Sequence, residues 1–87
     1  MTSLTVLPDW RLEVSFFDGI SGKVQMRELI FGSRSDGTFF EPLRDAAEFR
    51  KAEIVLGAVE WPNGANIDPD WMHDEIRRHG QWVVPAD

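Results

Sequence analysis

The sequence predicts an α+β domain, and three observations carry that prediction. Residues 3–26 alternate apolar and polar side chains with the period of two that marks half-buried strands. Residues 68–80 hold the longest stretch with helical spacing, with a start signal before it and a stop signal after it. Short apolar runs punctuated by glycine and proline lie between them, so strands and helices gather around one core. The expected architecture is a mostly antiparallel sheet of four or five strands with two or three short helices on one side. All 87 residues belong to a single domain. A chain of this length buries roughly 60–70% of its unfolded surface, and 43% apolar residues, with four Trp and six Phe, supply the core.

The first strand is Ser3 to Leu7, where Leu4 and Val6 alternate with polar neighbours until Pro8-Asp9 stops the run. The second covers residues 11–17, with Leu12, Val14 and Phe16 on one face and Arg11, Glu13 and Ser15 on the other. Asp18-Gly19 is a hairpin signal, and Ser21-Gly22 close behind it allows a longer turn. The third strand spans residues 23–26. Leu29, Ile30 and Phe31 do not alternate, so residues 27–31 are expected to form one helical turn ended by Gly32. Residues 32–38 are loop-forming throughout, after which Phe39-Phe40 is expected to return an aromatic pair to the core.

Asp45 stands three residues before Glu48, the spacing of a capping box, and a short helix from 46 to about 51 follows with Phe49 as its anchor. Residues 52–61 are either two strands meeting at a tight turn or one strand with a bulge at Gly57. Asp68-Pro69 supplies an N-cap and a first-turn proline, so residues 70–79 are helical and Gly80 ends the helix. Met72, Ile76 and His79 fall on one face, with Trp71 beside them. The segment EWPNGANIDPDW, residues 60–71, carries a tryptophan at each end. Pro62-Asn63-Gly64 makes its turn, and both indoles are expected over one edge of the core. QWVV, residues 81–84, forms an apolar tail closed by Pro85.

Charge and composition narrow the function classes. Nine Lys and Arg against fifteen Asp and Glu give a net charge of −6, and no basic cluster exceeds a pair, so direct binding of nucleic acid is disfavoured. The absence of cysteine excludes disulfides and thiolate-ligated metals. No run approaches the ~20 apolar residues of a membrane span, and Met1-Thr2-Ser3-Leu4 lacks the basic start of a signal peptide. The expected location is the cytoplasm.

Motifs with chemistry fail on spacing. Asn66-x-Asp68-x-Asp70 opens like a calcium loop, but Trp71 and Arg77 occupy the places of its glycine and its bidentate glutamate. His73 and His79 are six residues apart, which separates them around a helix and prevents a shared metal. His79 is expected to be a half-buried side chain or a cation at the helix C-terminus. Residues 19–23, GISGK, lack the spacer and the Ser or Thr of a phosphate loop. No nucleophile elbow exists for His73 to serve. No cofactor, metal site or catalytic residue is expected.

Three blocks remain: Phe16-x-Asp18-Gly19, then Phe40-x-Pro42-Leu43-Arg44-Asp45 with Phe49 four residues on, then Trp61-Pro62-Asn63-Gly64-Ala65-x-Ile67. In this order, over about residues 4–73, they resemble domain-of-unknown-function family 2442, a family of small bacterial domains. The resemblance implies a cytoplasmic α+β fold, found alone or joined to a helix-turn-helix domain, with genes often beside another small family in toxin–antitoxin-like pairs. It carries over no catalytic residue. Asn66 stands where an aspartate is common in such domains, His73 where a tyrosine is common, and residues 76–87 extend past the motif.

The expected function is therefore a non-enzymatic protein-interaction domain. Its most concrete form is an acidic, antitoxin-like partner that masks a basic protein encoded nearby. The candidate contacts are Trp10, Trp61, Asn63, Asp68, Trp71 and Trp82, and this reading expects Trp10 and Trp82 to be solvent-exposed in the isolated chain. The tail 81–84 is expected to be able to add as an edge strand to a second copy, giving a homodimer. The alternative is a small-ligand domain with a pocket between the WPNGANID loop and the Asp18-Gly19 hairpin. An enzyme using Asp68, Asp70 and His73 ranks last.

Overall fold

The computed structural model describes residues 1–86, so the last residue of the tail, Asp87, lies outside the described residues. Alternation in the first quarter of the chain becomes a meander of three antiparallel strands, β1 (Ser3–Leu7), β2 (Arg11–Ser15) and β3 (Ser21–Gln25). After α1 (Arg27–Phe31), two 3-10 turns (Ser33–Ser35 and Glu41–Arg44) and α2 (Ala46–Phe49), a second sheet forms from β4 (Glu53–Val55), β5 (Ala58–Glu60) and β6 (Asn66–Ile67). Then α3 (Pro69–His79) carries the chain back to the first sheet, where β7 (Gln81–Val83) pairs parallel to β3. The fold is α+β as expected, but the strands divide into a four-stranded sheet, β1-β2-β3-β7, and a three-stranded one, β4-β5-β6.

In the larger sheet, register puts Val6, Leu12, Val24 and Trp82 in one row across the four strands, facing the core. The alternate row, Thr5, Glu13, Lys23 and Gln81, is exposed. Apolar and polar residues thus separate by face, as the period of two requires. On the inner face α3 lies across β3 and buries Met72 and Ile76.

Local chemistry explains where the elements begin and end. The Asp68 side chain accepts from the Asp70 backbone N–H at 2.9 Å, Pro69 occupies the first turn, and Gly80 closes α3 at φ 79°, donating to the Ile76 carbonyl at 2.7 Å. Asp45 caps α2 through the Ala47 N–H, while Glu48 pairs with Lys51. Arg44 donates to the Ile30 and Gly32 carbonyls at 2.8 and 3.1 Å, supplying partners to the C-terminal end of α1.

The same three-residue hairpin turn is built twice. In Phe17-Asp18-Gly19 and in Pro62-Asn63-Gly64, the glycine takes φ 87° and 96° and donates to the carbonyl three residues back. In each, the Asp or Asn oxygen accepts the backbone N–H two residues on at 3.1 Å. The connection between β1 and β2 has the same length, Pro8-Asp9-Trp10, but without glycine. Asp9 and Trp10 both lie in the left-handed region, at φ 65° and 56°, at a cost of roughly 1–2 kcal/mol per residue. The surroundings offset it: the Trp10 indole N–H donates to the Leu43 carbonyl at 2.8 Å, and the Trp10 carbonyl accepts from Met26 N–H at 2.9 Å. Phe31 meets the ring edge-on at 4.7 Å, with the Arg27 guanidinium 5.5 Å from it.

Residues 52–61 resolve into two strands joined at Leu56-Gly57, both with positive φ. Three expectations about side-chain placement are overturned. Phe39 is exposed, and only its neighbour Phe40 packs against the core. His79, expected on the buried face with Met72 and Ile76, is instead exposed in the last turn of α3 and faces Glu75, which leaves the helix-terminal placement of the two expected for it. Trp61 and Trp71 do not share an edge: Trp61 packs on Phe40 and Phe49, and Trp71 packs on Trp82.

Candidate functional site

The four tryptophans divide by environment. Trp61 is 1% exposed, with its indole N–H donating to the Phe49 carbonyl at 2.9 Å, and Trp82 is 4% exposed. Trp61 is therefore a core residue, which corrects its candidacy as a contact, and Trp82 offers only the strip of its side chain that helps wall a groove beside Trp71. Trp10 is half-buried by the bonds given above, so the expectation that Trp10 and Trp82 stand in solvent does not hold. Their positions in turn and tail concealed that each completes the core. Trp71 is the exposed indole, at 47%.

Trp71 lies at the junction of two adjoining grooves. One, of about 330 Å³, runs between α3 and β7, with Trp71, Glu75 and His79 along the helix side and Gln81, Val83 and Pro85 along the strand side. The other, of about 240 Å³, is lined by Leu29, Ile67, Trp71, Trp82, Val84 and Pro85, with Asn66 and Asp68 at its polar end. The pocket expected at the WPNGANID loop thus involves that loop's end, but its other wall is Trp82 and the tail, not the Asp18-Gly19 hairpin.

On the helix side, Trp71, Glu75 and His79 recur every four residues and form one stripe. Glu75 accepts from the Trp71 indole N–H at 3.2 Å and faces His79 Nε2 at 3.3 Å. On the strand side, β7 is an edge of its sheet. Val84 N–H donates to the Gln25 carbonyl at 2.9 Å, and Trp82 stands opposite Val24, so the alternation of a parallel ladder turns the N–H and C=O of Val83 outward. The Val83 side chain is 44% exposed. An open strand edge beside an aromatic helix stripe can accept an added strand through main-chain hydrogen bonds and seat its alternate side chains in the groove.

Two other candidates are structural. Asn63 makes the turn and donates through Nδ2 to the Phe39 carbonyl at 2.8 Å, joining the 62–64 turn to the segment before the second 3-10 turn. Asp68 is the α3 cap. Glu75, Val83 and Pro85 were not singled out from sequence. The i, i+4 spacing from Trp71 marks Glu75 and His79, but nothing local marks Val83.

His73 bonds across to the β2–β3 hairpin, its Nε2 lying 2.6 Å from Asp18 Oδ2, and its ring meets Phe16 edge-on at 4.9 Å. Asp68 is occupied by the helix cap, so His73 is a strut between α3 and the hairpin. The hydrogen bond from His73, helped by the Ile20 N–H, lowers the Asp18 pKa below its ordinary value of 3.8. A carboxylate with a depressed folded pKa stabilises above its unfolded pKa and loses that contribution as pH falls through the folded one. Asp18→Asn is therefore expected to lower the urea midpoint at pH 6 and to lose its deficit progressively below pH 3.8. A deficit independent of pH would show that the carboxylate charge is not involved.

A family model described as protein of unknown function (DUF2442) matches residues 1–78. That match ends within α3, so β7 lies beyond the matched residues. Comparisons with curated proteins and with solved structures give no match. Among the described residues, no helix is long and apolar enough to cross a membrane, and no group of three or more His, Cys, Asp or Glu side chains is placed to hold a metal ion.

Proposed function

The chain belongs to the DUF2442 family, and from that premise we propose a non-enzymatic protein-interaction domain that takes up an extended segment of a basic partner along β7. The observation that carries this reading is the open β7 edge lying beside the exposed Trp71 stripe of α3. Main-chain hydrogen bonds to Val83 supply affinity without regard to sequence, and the groove selects an apolar side chain for contact with Trp71. The charge of −6 and Glu75 beside the indole favour lysine and arginine in the incoming segment, speeding encounter more than strengthening the final complex. The cytoplasmic, antitoxin-like form of this role, with the partner encoded nearby, is what the family resemblance suggests.

Trp71→Ala tests the reading, since the indole is 47% exposed; because it also packs on Trp82, an unchanged circular dichroism spectrum is the control. Tagged wild-type protein should retain one small basic protein from its host at low salt and release it at high salt. The variant should bind it about thirtyfold more weakly, the loss of a hot spot of about 2 kcal/mol. Equal retention by both would overturn the groove as the docking site. Self-association through β7 is the competing occupant, and a concentration-dependent dimer of the isolated chain in sedimentation, abolished by Val83→Pro, would establish it instead.

A further inference from the structure

A separate groove of about 290 Å³ lies under the β1–β2 turn. Val6, Leu7, Pro8 and Trp10 wall it on one side, and Phe49 and Arg50 on the other. Its walls are held firmly. Phe49 belongs to the core, and Trp10 is kept in the left-handed region by its bonds to Leu43 and Met26 despite the local strain. A strained residue that its surroundings hold in place is a common mark of a binding surface.

The charges on this groove do not balance. Asp9, on its rim, is neutralised by Arg27 at 2.5 Å, and Glu48, one residue before Phe49, by Lys51 at 2.9 Å. Arg50 has no such partner. In a chain with fifteen Asp and Glu side chains, Arg50 and Lys23 are the only Lys or Arg side chains among the described residues with no hydrogen bond, ion pair or ring contact. Of these two, Arg50 borders an apolar groove. A guanidinium presents paired N–H donors that match a carboxylate's two oxygens. The volume sits just below the ~300–1,000 Å³ typical of ligand pockets, which limits the occupant to a small molecule.

We infer that this groove binds a small organic carboxylate, its charged end on the Arg50 guanidinium and its aromatic or branched apolar body against Trp10 and Phe49. The site is independent of the β7 edge. It differs from the ligand pocket expected at residues 61–68, because the wall here comes from the β1–β2 turn and the end of α2.

The test follows the Trp10 indole N–H resonance of ¹⁵N-labelled protein, assigned by its loss in Trp10→Phe, during titration with phenylacetate and, separately, with its uncharged amide. Phenylacetate is expected to shift that resonance saturably with a Kd of about 1 mM or lower. The amide should bind about tenfold more weakly, and Arg50→Gln should weaken phenylacetate binding by about the same factor. Arg50 is exposed, so an unchanged circular dichroism spectrum is expected for the variant. Absence of a saturable shift, equal shifts from acid and amide, or undiminished binding by Arg50→Gln would each overturn the inference.

Discussion

Trp61→Ala is expected to cost about 3–5 kcal/mol, the range for truncating a fully buried aromatic. A domain of this length has a total stability of about 4–13 kcal/mol at the usual ~0.05–0.15 kcal/mol per residue, so the variant should unfold at low urea or be unfolded without it. Three losses combine. The indole leaves a cavity where the second sheet meets α2, its rings no longer pack on Phe49 at 5.6 Å and Phe40 at 6.5 Å, and the Phe49 carbonyl loses the 2.9 Å hydrogen bond. Trp61→Phe separates them. It keeps most of the packing and removes one of two donors, since the Phe49 carbonyl still accepts from the Ala52 N–H at 3.3 Å, so its cost should be nearer the roughly 0.5–1.5 kcal/mol of a single hydrogen bond. Urea unfolding followed by far-UV circular dichroism reads both. A loss below about 1 kcal/mol for Trp61→Ala would mean that the second sheet docks without this anchor.

Gly22→Ala is the second large effect, and its origin differs. A methyl group at residue 22 would sit 2.6 Å from the Gly80 carbonyl oxygen and 2.7 Å from Ile76 Cγ2. Gly22 of β3 faces the end of α3 at close range, so the added carbon must push the helix off the sheet. Overpacking of this kind costs about 1–3 kcal/mol, and more where the neighbour cannot yield. The oxygen belongs to the backbone of the α3 cap, whose N–H is bonded to Ile76, so shortening Ile76 in a double variant should restore only part of the loss. Gly57→Ala is the control. Nothing lies within 4 Å of that site, and its cost should be only the roughly 1–2 kcal/mol of a left-handed alanine. Because β7 follows directly from Gly80, Gly22→Ala should also speed amide exchange at Trp82 and Val84 more than in β1. Uniform acceleration along the chain would show global destabilisation without displacement of α3.

Unlike these two variants, Trp71→Ala and Arg50→Gln alter exposed side chains. They are expected to report on binding while the fold persists, which makes them usable against the two proposed sites.

The elements themselves were readable because their determinants are local. The period of two marked β1 to β3, aspartate and proline before an apolar stripe marked the start of α3, and Gly80 marked its end. The turns at 17–19 and 62–64 follow from an Asp or Asn followed by glycine, whose side-chain oxygen and positive φ act within a few residues. The β1–β2 turn was visible as a stop but not as a strained one, since what holds Trp10 there comes from Leu43, Met26, Phe31 and Arg27.

Only the tertiary structure decided where the tail goes and which tryptophans are left outside. QWVV reads as an apolar tail able to pair with a second copy, yet α3 delivers it parallel to β3 of its own chain, where Trp82 completes the core row and Val83 turns outward. Trp71 and Met72 are adjacent in sequence but about 100° apart around the helix, so burial of Met72 against the sheet carries Trp71 to the rim. Turn type, caps and strand period are set by a few neighbouring residues. Burial of an indole and the openness of a strand edge depend on chain segments dozens of residues away, and a linear pattern does not say which of those segments will arrive.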